Sequence, residues 1–236
     1  MLLTLNTVHV SIGLSHILHG VTLHVAPGEV VGLFGRNGVG KTTIVKTIAG
    51  WLAPSSGAIS FNSTPIAGLA SDRICHLGVG LVPEDRRVFP GLTVEENLRL
   101  GLMQVKREER SKAEEKLWGI YGRFPRLQER RYQLGTTLSG GEQQILSIAR
   151  TLVGSPKLIL IDEPTEGLAP MVVRDIFQTI HTLRSQGIAV LLIEQNVHNA
   201  LTVCDRFYAI ERGEVVLEGR AKDEEAVRTL IQTISV

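Results

Sequence analysis

Gly35-Arg36-Asn37-Gly38-Val39-Gly40-Lys41-Thr42-Thr43 contains, in its first eight residues, a full match to the phosphate-loop pattern G-x-x-x-x-G-K-[ST]. Glycines let backbone N–H groups approach phosphate oxygens closely, and the positive end of a following helix adds to the attraction. In this pattern Lys41 reaches the β and γ phosphates of a nucleotide, and the Thr42 hydroxyl binds Mg²⁺. The segment therefore predicts a nucleotide-phosphate site between a strand and a helix.

The sequence on both sides of the loop alternates between strand and helix patterns. Residues 30–34 form an apolar run typical of a strand buried on both faces, and a helix is predicted from Lys41 to about Gly50. Further strands are predicted at 158–161 and 188–193, and further helices at 145–152 and 172–183. The opening residues up to Val25 alternate as antiparallel strands. This order predicts an α/β fold with a mainly parallel sheet, flanking helices and an antiparallel β lobe.

The middle of the chain differs in character from both ends. Residues from about 90 to 138 are mainly helical by pattern, and the mixed charges from Lys106 to Lys116 are typical of a solvated helix face. We interpret the chain, residues 1–236, as one domain. Its core and β lobe occupy about 1–89 and 155–236, and an inserted helical lobe occupies about 90–154.

Two carboxylates follow the apolar strand in the sequence KLILIDE, Lys157 to Glu163. Parallel strands end at the same sheet edge, so Asp162 and Glu163 should emerge beside the phosphate loop. We expect Asp162 to hold Mg²⁺ or its water shell, and Glu163 to polarise the attacking water as general base. Alone, a strand that ends in Asp-Glu-Pro would often be an ordinary turn.

A second candidate anion site lies in the sequence LSGGEQQ, Leu138 to Gln144. Ser139 suits the N-cap of the following helix, and Gly140 and Gly141 leave N–H groups accessible at its start. As a bare helix cap this pattern is common, whereas the whole string is much rarer.

Composition excludes several other classes of protein. The chain is 43% apolar, and its 25 Lys and Arg residues against 24 acidic residues give a net charge of +1, which argues against broad nucleic-acid binding. The two cysteines, Cys75 and Cys204, have no CxxC spacing, so a disulfide scaffold is not expected. We expect neither a signal peptide nor a transmembrane segment, because the apolar runs are far shorter than the roughly 20 residues needed to span a bilayer.

The three motifs, in this order, resemble those of the ATPase subunits of ABC transporters over essentially the whole chain. The resemblance implies ATP and Mg²⁺ as cofactors and a head-to-tail dimer with a second ATPase subunit, identical or different. In that dimer Ser139 to Gly141 of one subunit cover the γ-phosphate held by Lys41 of the other. It also implies membrane permease partners, no nucleic acid, and a peripheral location on the cytoplasmic face of the inner or plasma membrane.

Four positions depart from the general pattern of that family. Glu84 stands where a Mg²⁺-sensing glutamine is usual, and we include Glu84 among the candidate metal ligands beside Thr42 and Asp162. Gln195 stands where a histidine near the γ-phosphate is usual, and we expect its neutral amide to orient the phosphate or the water. The turn after Glu163 usually ends in Leu-Asp but here reads Glu166-Gly167-Leu168-Ala169-Pro170, and Ile12 replaces an aromatic residue that stacks on adenine.

Three of these departures, all except Ile12, resemble one branch of the family, together with the segments VPEDRRVFPGLTVEENL, DEPTEGLAP and LLIEQN. It contains the ATPase pair for uptake of branched-chain amino acids, with a solute-binding protein as an indirect partner, and this chain resembles the second member. The ATPases of urea and short-amide uptake share GRNGVGKTT and DEPTEG and remain an alternative. A soluble ABC ATPase acting on ribosomes or DNA is disfavoured by the single copy of each motif, and a non-hydrolysing regulator by Glu163.

Overall fold

The computed structural model describes residues 1–85, 88–105 and 111–235. In chain order its main elements are β1 Leu3–Ile12, β2 Ser15–Val25, β3 Val30–Phe34, α1 Lys41–Ile48, β4 Ser56–Phe61, β5 Thr64–Pro65, α2 Ser71–Leu77, β6 Val79–Val82, α3 Val94–Leu100, α4 Ala113–Arg123, α5 Pro125–Glu129, α6 Gly140–Val153, β7 Leu158–Asp162, α7 Pro170–Ser185, β8 Ala189–Ile193, α8 Val197–Leu201, β9 Arg206–Glu211, β10 Glu214–Arg220 and α9 Glu224–Ser235. Arg86 and Arg87 of the VPEDRRVFPGL segment, and residues 106–110 of the charged stretch, lie outside the described residues.

The first part of the chain forms an antiparallel sheet in the order β2-β1-β4-β5, which confirms the predicted β lobe. Its alternating apolar side chains face one buried side. The pairing of β1 with β2 shifts register, because Val10 lies opposite Leu18 but Ser11 lies opposite His16. Ile17 is the extra residue of this β-bulge, and bulges re-aim side chains beside functional sites.

The second sheet has six strands in the order β10-β9-β3-β8-β7-β6. β3 runs parallel to β8 and β9, and β7 runs parallel to β6 and β8, whereas β10 pairs antiparallel with β9. The predicted mainly parallel sheet is confirmed. Because parallel strands share one direction, the residues that follow β3, β6, β7 and β8 lie at one edge of the sheet.

Alternation along the central strands divides the buried side chains into two cores. Ile159 and Ile161 of β7 face the core that contains α3, α4, α6 and α7. Leu158 and Leu160 face the core that contains α1 and the β lobe. Each such side chain is fully buried, and full burial contributes about 1.5–3 kcal/mol to folding relative to exposure. Both faces of the sheet are thus covered, and only its strand ends remain for a site.

The segment between β6 and β7 contains helices α3 to α6, and no strand is present in the part of it that the structure describes. Reciprocal capping boxes start two of these helices, Thr93 with Glu96 at α3 and Ser139 with Glu142 at α6. Leu98, Leu117 and Leu146 bring the segment into the same core as the central sheet. The lobe boundaries near 90 and 154 stay a prediction.

Among the described residues, none of the helices has both the length and the apolar character that crossing a membrane requires.

Candidate nucleotide site

The loop between β3 and α1 has a backbone that only glycine adopts easily. Gly35 and Gly40 have positive φ angles of 152° and 108°. A Cβ atom at Gly35 would lie 2.3 Å from the Ile210 carbonyl oxygen, and one at Gly40 would lie 2.8 Å from the Leu18 side chain. Side chains at these positions would push the loop away from the sheet and the β lobe, so the spacing of the glycines fixes the loop's path.

Lys41, the first residue of α1, directs its side chain back into the loop. Its Nζ donates to the Gly35 carbonyl at 2.8 Å and the Arg36 carbonyl at 2.9 Å. It also lies 3.9 Å from Oε1 of Glu163. Burial lowers the pKa of Lys41, and the negative charges of Glu163 and Asp162 oppose this shift. The ammonium therefore lies inside the loop and near the ends of the neighbouring strands, where phosphate oxygens would meet it.

Thr42 and Asp162 meet at the strand end. The Thr42 hydroxyl donates to Oδ1 of Asp162 at 3.4 Å, and Asp162 is 4% exposed. The pKa of Asp162 is raised to about 6. Burial is the main cause, and the charges of Glu163 and Glu84 contribute to the same rise. Thr42, Glu84 and Asp162 line one small cavity of about 180 Å³. The structure thus brings the three predicted metal-binding residues together.

Glu163 and Gln195 are in direct contact across two neighbouring strand ends. Glu163 follows β7, and its N–H donates to the Ile193 carbonyl of β8 at 3.0 Å. Nε2 of Gln195 donates to Oε2 of Glu163 at 2.5 Å. Glu163 has a φ of 45°, which is rare for a residue other than glycine. Residues in such strained backbone conformations are concentrated at functional sites.

A cavity of about 380 Å³ joins these residues to the phosphate loop. Six loop residues line it, namely Asn37, Gly38, Gly40, Lys41, Thr42 and Thr43. Glu84, Glu163, Glu166 and Gln195 line it from the strand ends. Gly35 and Arg36 line an adjoining cavity of about 320 Å³, which Asn37 and Gln195 also line. Val39 packs instead against the core that contains α1 and the β lobe.

Two residues of this cavity were missed by sequence reasoning. Carboxylate oxygens of Glu84, Glu163 and Glu166 lie within 4.8 Å of one another, and the structure thus adds Glu166 to the acidic group. Burial raises the pKa of Glu84, and Glu163 and Glu166 raise it further. Ile17 lines the cavity from the β-bulge, whereas Ile12, the residue at the expected adenine position, is 49% exposed. A register shift has no sequence signal, so Ile17 could not have been found.

Ser139, Gly140 and Gly141 lie apart from the phosphate loop within one chain. Oγ of Ser139 donates to Oε2 of Glu142 at 2.8 Å and accepts from the Glu142 N–H at 3.4 Å. Ser139 and Gly141 line a separate cavity of about 390 Å³. A Cβ at Gly141 would lie 2.4 Å from the Val172 side chain, so this glycine allows α6 to approach α7.

Oxygen ligands of this kind fit a divalent cation. Carboxylates and a hydroxyl are the ligands that Mg²⁺ prefers, whereas soft metals prefer thiolate or imidazole. Burial raises the pKa values of Asp162 and Glu84, and the neighbouring carboxylates raise them further, so a bound cation would compensate both effects. The residues present therefore fit Mg²⁺.

Comparison with known proteins gives a consistent family. The family model described as ABC transporter matches residues 18–166. BraG of Pseudomonas aeruginosa, a high-affinity branched-chain amino acid transport ATP-binding protein, is 44% identical over 200 residues, covering 85% of this chain and 84% of BraG. LivF of Archaeoglobus fulgidus, a probable protein of the same description, is 34% identical over 88% of this chain and 87% of LivF. LptB of Escherichia coli, from lipopolysaccharide export, is also 34% identical, over 86% of this chain and 84% of LptB.

Solved structures give the same fold. An ATP-binding cassette of an ABC transporter in its ADP conformation matches with a TM-score of 0.85 and 27% identity, covering 100% of this chain and 96% of that one. A dimeric ATP-binding cassette in a post-hydrolysis state, bound to ADP and phosphate, matches with a TM-score of 0.79 and 26% identity, covering 94% and 99%.

Proposed function

Since this chain belongs to the ABC transporter family and is an ATPase of that family, we propose that it is the motor subunit of an importer for branched-chain amino acids. The 44% identity to BraG over 85% of the chain is the observation that carries the choice of solute. Identity to LivF and to LptB is the same, at 34%, so those two relatives do not decide between import and export. Transport of urea or short amides remains the alternative within import.

In the proposed site, the phosphate loop and Lys41 bind the nucleotide phosphates. The buried ammonium is already held by two carbonyls of the loop, so its position is fixed before a phosphate arrives. Thr42, Asp162 and Glu84 would hold Mg²⁺, which supplies positive charge to the phosphate oxygens. Ile17 offers an aliphatic surface at the edge of the cavity, and we assign it to contact with the base or ribose.

Glu163 is the proposed general base, and Gln195 is its orienting partner. A carboxylate that accepts a hydrogen bond from Gln195 on one oxygen still offers its other oxygen to a water molecule. The Gln195 amide does not titrate near neutral pH, so it can orient a group without changing charge. Positioning and charge stabilisation are what phosphoryl transfer to water requires from a protein.

The proposed partner of this chain in the ATP-bound dimer is a second ATPase subunit. ATPase cassettes of this family work as dimers with membrane permeases. We assign Ser139, Gly140 and Gly141 to the γ-phosphate bound by the partner subunit, because within one chain Ser139 and Gly141 line a cavity separate from that of Lys41. Whether the partner is identical or different depends on the assembly.

The proposed permease contact is an apolar groove of about 580 Å³ between the helical segment and α2. Exposed Trp51, Phe89 and Met103 contribute to its lining. Phe89 follows the segment that begins at Glu84, so this segment connects the groove with the carboxylates of the site. We propose that a short apolar helix of the permease binds here, on the cytoplasmic face of the membrane. Cross-linking from Phe89 in the assembled transporter should trap the permease, and labelling confined to the ATPase would contradict this assignment.

Uptake measurements in a strain that lacks this chain test the solute. Loss of leucine, isoleucine and valine uptake, restored by the wild-type chain but not by Lys41→Ala, is the expected result. Unchanged uptake of these amino acids with loss of urea or amide uptake would move the chain to the alternative branch. Defective lipopolysaccharide export with normal uptake of all these solutes would contradict import altogether.

A further inference from the structure

Glu194 is a buried carboxylate to which none of the proposed roles applies. It follows the last residue of β8 and is 3% exposed. Burial is the main cause that raises the pKa of Glu194, and hydrogen bonds from Thr165, Gln195 and Asn196 oppose this shift. Burying a carboxylate is costly unless hydrogen bonds or a cation compensate, so the position of its donors is informative.

The hydrogen-bond donors to Glu194 come from two loops. Oε1 accepts from the Thr165 N–H at 3.2 Å and from the Thr165 hydroxyl at 2.7 Å. Oε2 accepts from the Gln195 N–H at 3.2 Å. No lysine, arginine or histidine forms an ion pair with Glu194 in residues 1–85, 88–105 and 111–235. The carboxylate is therefore held by the N–H and hydroxyl dipoles of two loops, and its two oxygens join the Thr165 turn to the Gln195 backbone.

These two loops carry the proposed base and its orienting partner. Thr165 lies two residues after Glu163, and Gln195 directly follows Glu194. The Gln195 amide reaches Glu163 at 2.5 Å, a contact that depends on the relative position of the loops. Glu163 also has a strained backbone, with φ 45°, and such a conformation persists only where its surroundings hold it.

We propose that Glu194 is a positioning residue for ATP hydrolysis: its carboxylate holds the Thr165 turn and the Gln195 backbone at the separation that lets Gln195 orient Glu163. This proposal rests on the proposed roles of Glu163 and Gln195. The phosphate loop and Lys41 form separate contacts, so Glu194 should influence turnover more than nucleotide binding.

Steady-state hydrolysis of MgATP by the full chain tests this role in Glu194→Gln, in Thr165→Val and in the double variant. In Glu194→Gln an NH₂ group, which donates and does not accept, replaces one of the two acceptor oxygens. The side chain therefore cannot accept hydrogen bonds from both loops. We expect kcat to fall by about 10- to 100-fold, the range of a small misplacement of reacting groups, with KM for ATP within about twofold. The double variant should be no slower than the slower single one, because both changes break the same contact. Thr165→Ser keeps both donors and should retain the wild-type kcat.

Glu96→Gln is the matched control. Glu96 accepts hydrogen bonds from the N–H and the hydroxyl of Thr93, at 2.7 and 2.8 Å, just as Glu194 does from those of Thr165, but it lies at the start of α3. It should keep the wild-type kcat. Three outcomes would overturn the proposal. The first is a wild-type kcat in Glu194→Gln, and the second is a loss in the double variant that equals the product of the two single losses. The third is a KM for ATP in Glu194→Gln that rises as much as kcat falls. If Glu194→Gln does not fold, Thr165→Val against Thr165→Ser decides by the same criteria. Glu163→Gln is measured in parallel: normal hydrolysis there overturns the proposed base, whereas an inactive Glu163→Gln with normal Glu194→Gln overturns only the role of Glu194.

Discussion

Asp162→Asn should make the protein more stable while it abolishes hydrolysis. Asp162 is 4% exposed and lies near Glu163 and Glu84, so its ionised form is disfavoured in the folded chain. Asparagine has nearly the same shape and carries no charge. Its carbonyl oxygen can still accept the hydrogen bond that the Thr42 hydroxyl now donates to Asp162 at 3.4 Å.

The magnitude follows from the pKa of Asp162, which burial chiefly raises from 3.8 to about 6. One pKa unit corresponds to about 1.4 kcal/mol, so the ionised carboxylate destabilises the folded chain by up to about 3 kcal/mol. For an acid whose pKa is higher in the folded state, this penalty is absent below 3.8, grows as pH rises towards 6, and is complete above 6. At pH 7.5 we expect a gain on the order of 2–3 kcal/mol, or roughly 4–12 °C in the unfolding midpoint of a chain of this size.

Thermal unfolding in EDTA without nucleotide, from pH 5 to 8, measures the difference in stability between Asp162→Asn and the wild type. The advantage of Asp162→Asn should grow from pH 5 to a little above 6 and then level off, and MgATP should stabilise the variant less than the wild type. Asp205→Asn is the control with opposite sign, because Asp205 accepts from Arg184 and from the Val30 N–H and should lose stability on neutralisation. An Asp162→Asn midpoint equal to or below the wild-type midpoint at pH 7.5 would refute the reasoning.

Four further substitutions test the roles proposed for the site. Lys41→Ala should keep the fold but abolish hydrolysis and weaken nucleotide binding, and wild-type turnover with permease present would remove Lys41 from the site. Glu163→Gln should keep ATP affinity and lower single-turnover hydrolysis by roughly 10²–10⁴, the range of lost general base catalysis, so a near-normal rate would place the base elsewhere. Gln195→Ala should also slow hydrolysis, and the pH profile of the rate should show no new dependence near pH 6.5. An unchanged rate would contradict the role of Gln195. Ser139→Arg should prevent ATP-dependent dimerisation while sparing ATP binding, and sedimentation showing equal dimerisation would exclude Ser139 from the interface.

The sequence was most informative where a site is continuous in the chain. The phosphate loop needs glycines, Lys41 and Thr42 at fixed spacing, so its location between β3 and α1 was predictable and is confirmed. Helix α7 was expected at 172–183 and runs from Pro170 to Ser185, because proline is favourable in a first helical turn and extends the start beyond the apolar pattern. The sheet order was not predictable, because periodicity shows that a strand is buried but not which strand lies beside it.

The residues missed by sequence reasoning all depend on contacts between distant segments. Glu166 lies in the turn after β7 and departs from the family pattern, but nothing in the sequence shows that the strand ends place its carboxylate beside Glu84. Glu194 was visible only as part of IEQN, and its importance comes from Thr165, which lies 29 residues earlier. Ile17 enters the cavity through a bulge that alternation cannot reveal. Local patterns therefore give the phosphate-binding half of the site, and sheet register gives the other half.

The strand register also explains why stability and activity should oppose each other at this site. Asp162 pairs with Ile193 across β7 and β8, so the residues that follow both strands leave the sheet side by side. That arrangement brings Glu163 to Gln195, but it also brings Glu163 close to Asp162 and Glu84. Burial raises the pKa values of Asp162 and Glu84, and the charge of Glu163 raises them further. A cation between these carboxylates would reduce their repulsion, and any ligand that binds only the folded chain stabilises it. The burial and repulsion that disfavour ionised Asp162 in EDTA should therefore make the wild-type chain gain more stability from MgATP than Asp162→Asn does. These two measurements together separate an electrostatic cause from a packing effect.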